Sequence, residues 1–271
     1  MPRREHRPQG HAPTVLEANV LKLRAFEIVL VLFYMEDLKR FILRSIKVSD
    51  MLTGYGDRLS DGKVKTKEGK KLELAREVLV AEGVIDQAES DEIKDLVDYR
   101  NTIGHQIHKM TVDVGAYSEL VRFDGELGPV KGYDHKAAKR AAELRDKVKN
   151  GMMSKFVMEL SFDSLAFEAA ERTYLLEIRR LNAKVDKGIA QLNQLIEETN
   201  QSIRAIPKAV MESAQPLHPK HQKANGNLTD SGKSCIFQLF NAKATPYAAA
   251  HLMKISLRAS TLWFKRWQAS R

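Results

Sequence analysis

Arg100 and His105, with four residues between them in D98-Y-R-N-T-I-G-H-Q-I-H108, are the pair whose types and spacing best fit chemistry. Breaking a phosphodiester without a metal means moving protons on and off oxygen and stabilising extra negative charge on the phosphate. Histidine titrates near neutrality and performs either proton step. Arginine presents a fixed fork of donors to phosphate oxygens and keeps its charge. Asn101 fits orienting the imidazole or binding a phosphate oxygen. Asp98 and His108 lie close enough to act as accessory groups; His108 either shuttles protons or faces solvent.

The element that carries these residues reads as a buried amphipathic helix. Ile93, Leu96, Ile103, Ile107 and Met110 recur at spacings of three, four and seven, and the missing beat falls on Arg100. A guanidinium on an apolar seam needs an anion, because it cannot shed its charge. Asp98, Asn101, His105 and His108 fall within about 80° of one another, a polar stripe with two imidazoles. Arg100 lies about 140° from His105 on an ideal helix. For the two to meet, the Arg100 side chain must curl round, Gly104 must loosen the turn, or a second subunit must supply one of them. The structural alternative pairs Arg100 with Asp98 or Glu27 and makes His105 a satisfied interface histidine. His105 and His108 have spacing for two metal ligands on one face, but no third is near; no metal and no cofactor is expected.

The string R100-N-T-I-G-H105 resembles the R-x(4–6)-H signature of the HEPN superfamily, in which a polar residue follows the arginine. The likeness in helical layout spans residues 14–115, and its specific part is this one motif. It implies a small helical bundle that acts as a homodimer and cleaves RNA, leaving 2′,3′-cyclic phosphate ends. It also implies a toxin or phage-defence setting, with an antitoxin as a partner. On that reading His105 is the acid/base, Arg100 the transition-state stabiliser, and the dimer supplies a second pair.

Composition is that of a cytoplasmic globular protein: 43% hydrophobic and 29% charged residues over 271 positions. The single cysteine, Cys235, rules out an intrachain disulfide and a cysteine-based zinc site. The longest apolar run, I28-V-L-V-L-F-Y-M35, is far short of the roughly 20 residues a membrane span needs. The net charge of +9 is localised: Pro207–Arg271 holds ten Lys or Arg against Glu212 and Asp230. That concentration points to a nucleic-acid partner for the C-terminal quarter.

An all-α chain follows from the pattern. Residues 1–13 read as a disordered basic arm and 14–160 as a HEPN-like bundle. Within the bundle come a helix from about Val15 to Lys47 capped by Thr14, a Gly-rich loop at 53–69, a second helix over 70–82, and the Arg–His helix from about Gln87 to Lys109 with a Ser90 start signal. Glu27 sits in the most apolar part of the first helix, a partly buried acid with a basic partner. A short charged helix covers 134–149; weak strand signals are confined to 117–123 and 155–160. Residues 161–206 carry a long sparse pattern (Ile178, Leu181, Val185, Leu192, Leu195, Ile206) that fits an imperfect coiled coil or one more packed helix. Prolines, lysines and the string N225-G-N-L-T-D-S-G-K make 207–234 a linker.

Residues 235–271 read as a small tri-helical unit whose last two helices resemble a helix-turn-helix. Thr245 caps the first with Pro246 at its first position, Ala249 or Ala250 allows close approach, and Ile255-Ser256 forms the turn. Leu262, Trp263 and Trp267 are expected to anchor the last helix. The glycine usual in such a turn is absent, with Met253-Lys254 in its place. Arg258 is placed to reach a base edge, with Lys254, Lys265 and Arg266 on phosphates. The alternative is a docked amphipathic hairpin. The whole chain is expected to be a metal-independent, homodimeric endoribonuclease with a DNA-binding C-terminus. The competing reading is a noncatalytic DNA-binding regulator that dimerises through its bundle.

Overall fold

Thr14 starts the first helix by a reciprocal cap: its hydroxyl accepts from the Glu17 amide at 3.3 Å, and its own amide donates to Glu17 Oε2 at 2.6 Å. From there α1 runs Val15–Thr53. The computed structural model describes residues 13–62, 67–110, 114, 133–159 and 162–270. The expected N-terminal arm, the strand signal at 117–123 and the His108 side chain lie outside the described residues. Further helices are α2 Glu68–Ala81, α3 Gln87–Gln106, α4 Ala137–Met152, α5 Phe162–Arg204, α6 Lys208–Ala214, α7 Asp230–Asn241, α8 Pro246–Met253 and α9 Leu257–Ala269. The described residues are all-α, with one isolated antiparallel bridge between Gln222 and Leu228. No described helix is long and apolar enough to cross a membrane. The weak strand signal at 155–160 yields no strand over 155–159.

The chain divides into two compact units, Met1–Asp186 and Lys187–Arg271. In the first, Leu30, Tyr34, Leu38, Ile42 and Ile46 of α1 form one buried face at helical spacing. Against it α4 sets Ala137, Ala141, Leu144, Val148 and Met152, whose two alanines let the backbones approach. Leu72, Ala75 and Leu79 bring in α2, and Ile93, Leu96 and Ile103 bring in α3. The start of α3 is Asp86, not Ser90. Glu89 N donates to Asp86 Oδ1 at 2.8 Å, whereas Ser90 is buried one turn in and accepts from Arg76 Nη1 at 3.2 Å. The early part of α5 packs on α1 through Leu181 and Val185 against Leu23, and through Phe167 stacked on Phe33 at 3.5 Å between centroids.

In the second unit, α7 contributes Ile236, Leu239 and Phe240, and α8 contributes Ala248, Ala249, Leu252 and Met253. Residues 207–234, read from their composition as a linker, are built structure. Ile206, Ala214 and Leu228 join the core, and the buried His221 holds the Ala214 carbonyl at 2.9 Å and the Ser231 hydroxyl at 3.1 Å. The prolines and the Asn-Gly string close turns inside this unit instead of loosening it. At Gly232 a Cβ would stand 2.2 Å from the His221 carbonyl oxygen, so only glycine fits beneath that segment.

Candidate functional site

Arg100 occupies the seam position that the α3 periodicity leaves for it. Its side chain is half-buried between the buried Leu96 and Ile103, with Nη2 2.9 Å from Glu36 Oε2 of α1 and Nη1 3.0 Å from Asn101 Oδ1. Its Nε is buried and has no acceptor among the described residues. The anion that the seam demanded is therefore Glu36, neither Asp98 nor Glu27. Glu36 also accepts from Arg40 Nε at 3.3 Å, so one carboxylate lies between two guanidinium groups. Val29, Leu32, Phe33, Asp37 and these three charged residues line an open depression of about 410 Å³.

The His105 side chain is exposed and makes no hydrogen bond to a described residue. The helix runs regularly through Gly104 to Gln106, so the glycine does not loosen the turn. Arg100 reaches toward α1, away from the His105 side. One copy of the chain thus does not bring the two together. Asp98 is exposed and lines a separate cavity of about 400 Å³ with Asp95, Tyr99, Thr102, Met110, Asp134 and Arg140. No group of His, Cys, Asp and Glu able to hold a metal occurs among the described residues.

Glu27 is buried and accepts a hydrogen bond from the Tyr133 hydroxyl at 2.6 Å, while the bases His135 and Arg24 act on it through their charge. Burial pushes its carboxyl above the ordinary value, against the lowering effects of Tyr133, His135 and Arg24. Arg24 is committed elsewhere, donating to the Met110 carbonyl at 2.7 Å and lying 4.7 Å from the Tyr133 ring centroid.

At the other end of the chain, α8 and α9 are joined by a tight turn. Thr245 caps α8, accepting from the Ala248 amide at 3.2 Å, and Ser256 caps α9, accepting from the Ala259 amide at 3.2 Å. Lys254 takes a left-handed conformation (φ 49°, ψ 41°), the one glycine ordinarily supplies. The Ile255 amide then reaches back to the Ala250 carbonyl at 3.1 Å, and Gln222 Nε2 donates to the Met253 carbonyl at 2.5 Å. Ser260 is fully buried between the helices, its hydroxyl 2.7 Å from the Pro246 carbonyl.

The inner side of α9 is aromatic. Phe264 and Trp267 meet Phe240, Trp263 meets Phe237, and Trp267 Nε1 donates to Asn241 at 2.9 Å. Leu262 is not among the anchors. It is 49% exposed, one turn from Arg258 and just under one turn from Lys265 on the outer face. Arg258, Lys265, Arg266 and Lys254 are all exposed, and none pairs with a carboxylate among the described residues; Arg266 lies over the Trp263 ring at 4.7 Å. Sequence reasoning missed Glu36, Gln222 and Ser260, each tied to the site by tertiary contacts that no local spacing reveals.

No family model, curated protein or solved structure matches this chain.

Proposed function

We propose that this chain binds duplex DNA through α8 and α9 acting as a helix-turn-helix, with α9 as the recognition helix. The carrying observation is the turn at Lys254-Ile255-Ser256. It seats α9 by its aromatic side and leaves Arg258, Thr261, Leu262 and Lys265 facing outward. A helix presented this way fits a major groove, where Arg258 meets a base edge while Lys265, Arg266 and Lys254 neutralise phosphates. The docked-hairpin alternative has no use for an outer face whose cations meet no carboxylate among the described residues. Fluorescence anisotropy of the full chain on duplex DNA, over a range of salt, tests the reading. Affinity should fall steeply with salt, and Lys265→Ala should reduce the logarithmic salt slope by about 1. Binding that ignores salt, or survives Arg258→Ala/Lys265→Ala unchanged, would sink it. The full chain is needed for this measurement, because Ile203 and Ile206 belong to the same core as α8.

A second reading has its own observation. Arg100 stands half-buried beside Asn101 with its Nε unsatisfied among the described residues, an arrangement that fits a phosphate-binding guanidinium in a HEPN-like, metal-independent ribonuclease. Because His105 faces away within one chain, the active centre on this reading is composite, with Arg100 and His105 coming from different copies. RNA cleavage in EDTA by Arg100→Ala mixed with His105→Ala tests this directly. Each variant alone should lose about a hundredfold or more, and mixing should restore activity by rebuilding one intact site per mixed dimer. Absence of cleavage by wild type, or of restoration on mixing, rejects the composite centre. The regulator reading then stands alone.

A further inference from the structure

Leu262 is the residue on the outer face of α9 that phosphate binding leaves unexplained. The helix seats itself through Ser260, Trp263, Phe264 and Trp267, which meet the Pro246 carbonyl, Phe237 and Phe240. At 100° per residue, Arg258, Leu262 and Lys265 fall within about 60° of one another, on the side opposite that buried sector. All three line one open depression together with Leu257 and Thr261. Leu262 is 49% exposed there, between two cations, and has no group that donates or accepts a hydrogen bond. It gains only where apolar surface meets it.

The groove that fits this face offers one apolar group. In the major groove the base edges present donors and acceptors, and thymine adds its C5-methyl. A cytosine methylated at C5 presents the same group at the same place. Leucine against any other edge would take polar atoms out of water without replacing their hydrogen bonds, which is unfavourable. The spacing agrees. Leu262 lies four residues past Arg258, a rise of about 6 Å along the helix, against about 3.4 Å per base-pair step. With the Arg258 fork on O6 and N7 of a guanine, Leu262 reaches a base one or two pairs further along. A protein partner is the poorer occupant. One half-exposed leucine between cations is far less than the roughly 800 Å² a side that stable protein interfaces bury, and charged residues are depleted at their centres.

We infer that Leu262 is a specificity-determining residue that reads the C5-methyl of a pyrimidine one or two base pairs from a guanine held by Arg258. The inference rests on the DNA-binding reading and adds a sequence preference to it. Duplexes selected from a random pool by the full chain are the probe, and they should share a guanine with a thymine one or two pairs away. Replacing that thymine by uracil removes the methyl alone and should weaken binding about threefold to fivefold, the effect of burying one such group. Leu262→Ala should bind thymine and uracil duplexes nearly equally, with the salt slope and tryptophan-monitored unfolding midpoint of wild type. Leu262→Asn gives a gain in place of a loss, since its amide forks onto adenine and should prefer that base where the thymine stood. Cytosine and 5-methylcytosine at the same position separate the two methyl sources, and the methylated base should bind tighter by the same factor. A methylcytosine duplex tighter than the thymine one assigns methylated DNA; the reverse order assigns thymine. Salt-dependent binding with no enriched sequence, or with equal affinity for thymine and uracil, overturns the inference and leaves α9 a DNA-binding helix. So does a Leu262→Ala protein that discriminates as wild type does, which would give the methyl to Thr261. Absence of salt-dependent duplex binding overturns the DNA-binding reading itself, and this inference with it.

Discussion

Arg100 of α3 and Glu36 of α1 form an ion pair at 2.9 Å, and the carboxylate thereby occupies the guanidinium that a phosphate would need. Both side chains are about a third exposed, so the pair contributes only about 0–1 kcal/mol to stability. Its larger effect is competition. Glu36→Gln removes the negative charge that repels an incoming phosphate and releases Arg100 from its ion pair. Binding of a 2′-O-methyl RNA, which cannot be cleaved, should tighten about threefold to tenfold, in line with loss of one partly screened charge contact. The thermal midpoint should change by only a few degrees. Weaker or unchanged RNA binding in a filter assay would show that Arg100 serves the α1–α3 contact alone.

What could be read in advance, and what could not, divides along the distance over which a cause acts. The Arg100 seam position follows from spacings within α3, and the Thr14 cap and the Thr245–Pro246 start follow from residues side by side. Glu36 lies 64 positions from Arg100, so no periodicity connects them. Leu262 suits a core by its chemistry, yet its phase on α9 is that of Arg258 and Lys265. The 207–234 stretch has the composition of a linker. It folds because Ala214, His221 and Leu228, a few residues among many polar ones, are buried there and Gly232 lets the chain close over them.

Glu27 supplies a pH test of the first unit. Its carboxyl is held above the ordinary value of 4.5, chiefly because it is buried. A carboxyl whose pKa rises on folding favours the protonated fold. That contribution is complete below the unfolded value and is lost as pH rises through the folded one. Glu27→Gln keeps an acceptor for the Tyr133 hydroxyl and has no proton to lose. Urea unfolding at about pH 4.5, 5.5 and 7 should therefore show the variant gaining on wild type as pH rises. A gap that stays constant, or moves the other way, would contradict the raised carboxyl.

Gly232 tests whether residues 207–234 are structural. Its Cβ position is 2.2 Å from a backbone carbonyl oxygen, a clash that no side-chain rotation relieves. Gly232→Ala should destabilise the second unit by about 2 kcal/mol or more. The two tryptophans, Trp263 and Trp267, both lie in α9, so their fluorescence reports unfolding of that unit. The fluorescence midpoint in urea should fall in the variant while the midpoint of the first unit, followed by hydrogen exchange in α3, stays put. Coincidence with wild type would return 207–234 to the status of a linker.

Lys254 links the stability of the turn to its proposed work on DNA. At φ 49° its Cβ is strained relative to glycine by about 1 kcal/mol, yet the position keeps a lysine. Lys254→Gly should relieve the strain and raise tryptophan-monitored stability by about 0.5–1 kcal/mol. The same change removes a cation from the end of α8, next to the start of the proposed recognition helix. DNA affinity at low salt should drop and the salt slope should lessen by about 1. Lys254→Ala separates the two effects: it loses the charge but keeps a Cβ in the left-handed region, so it should match the glycine variant in DNA binding without its gain in stability. Two variants that gain no stability and bind DNA as wild type does would remove Lys254 from both roles. A glycine variant more stable and equally tight on DNA would leave the turn geometry intact and move the phosphate contacts to Lys265 and Arg266.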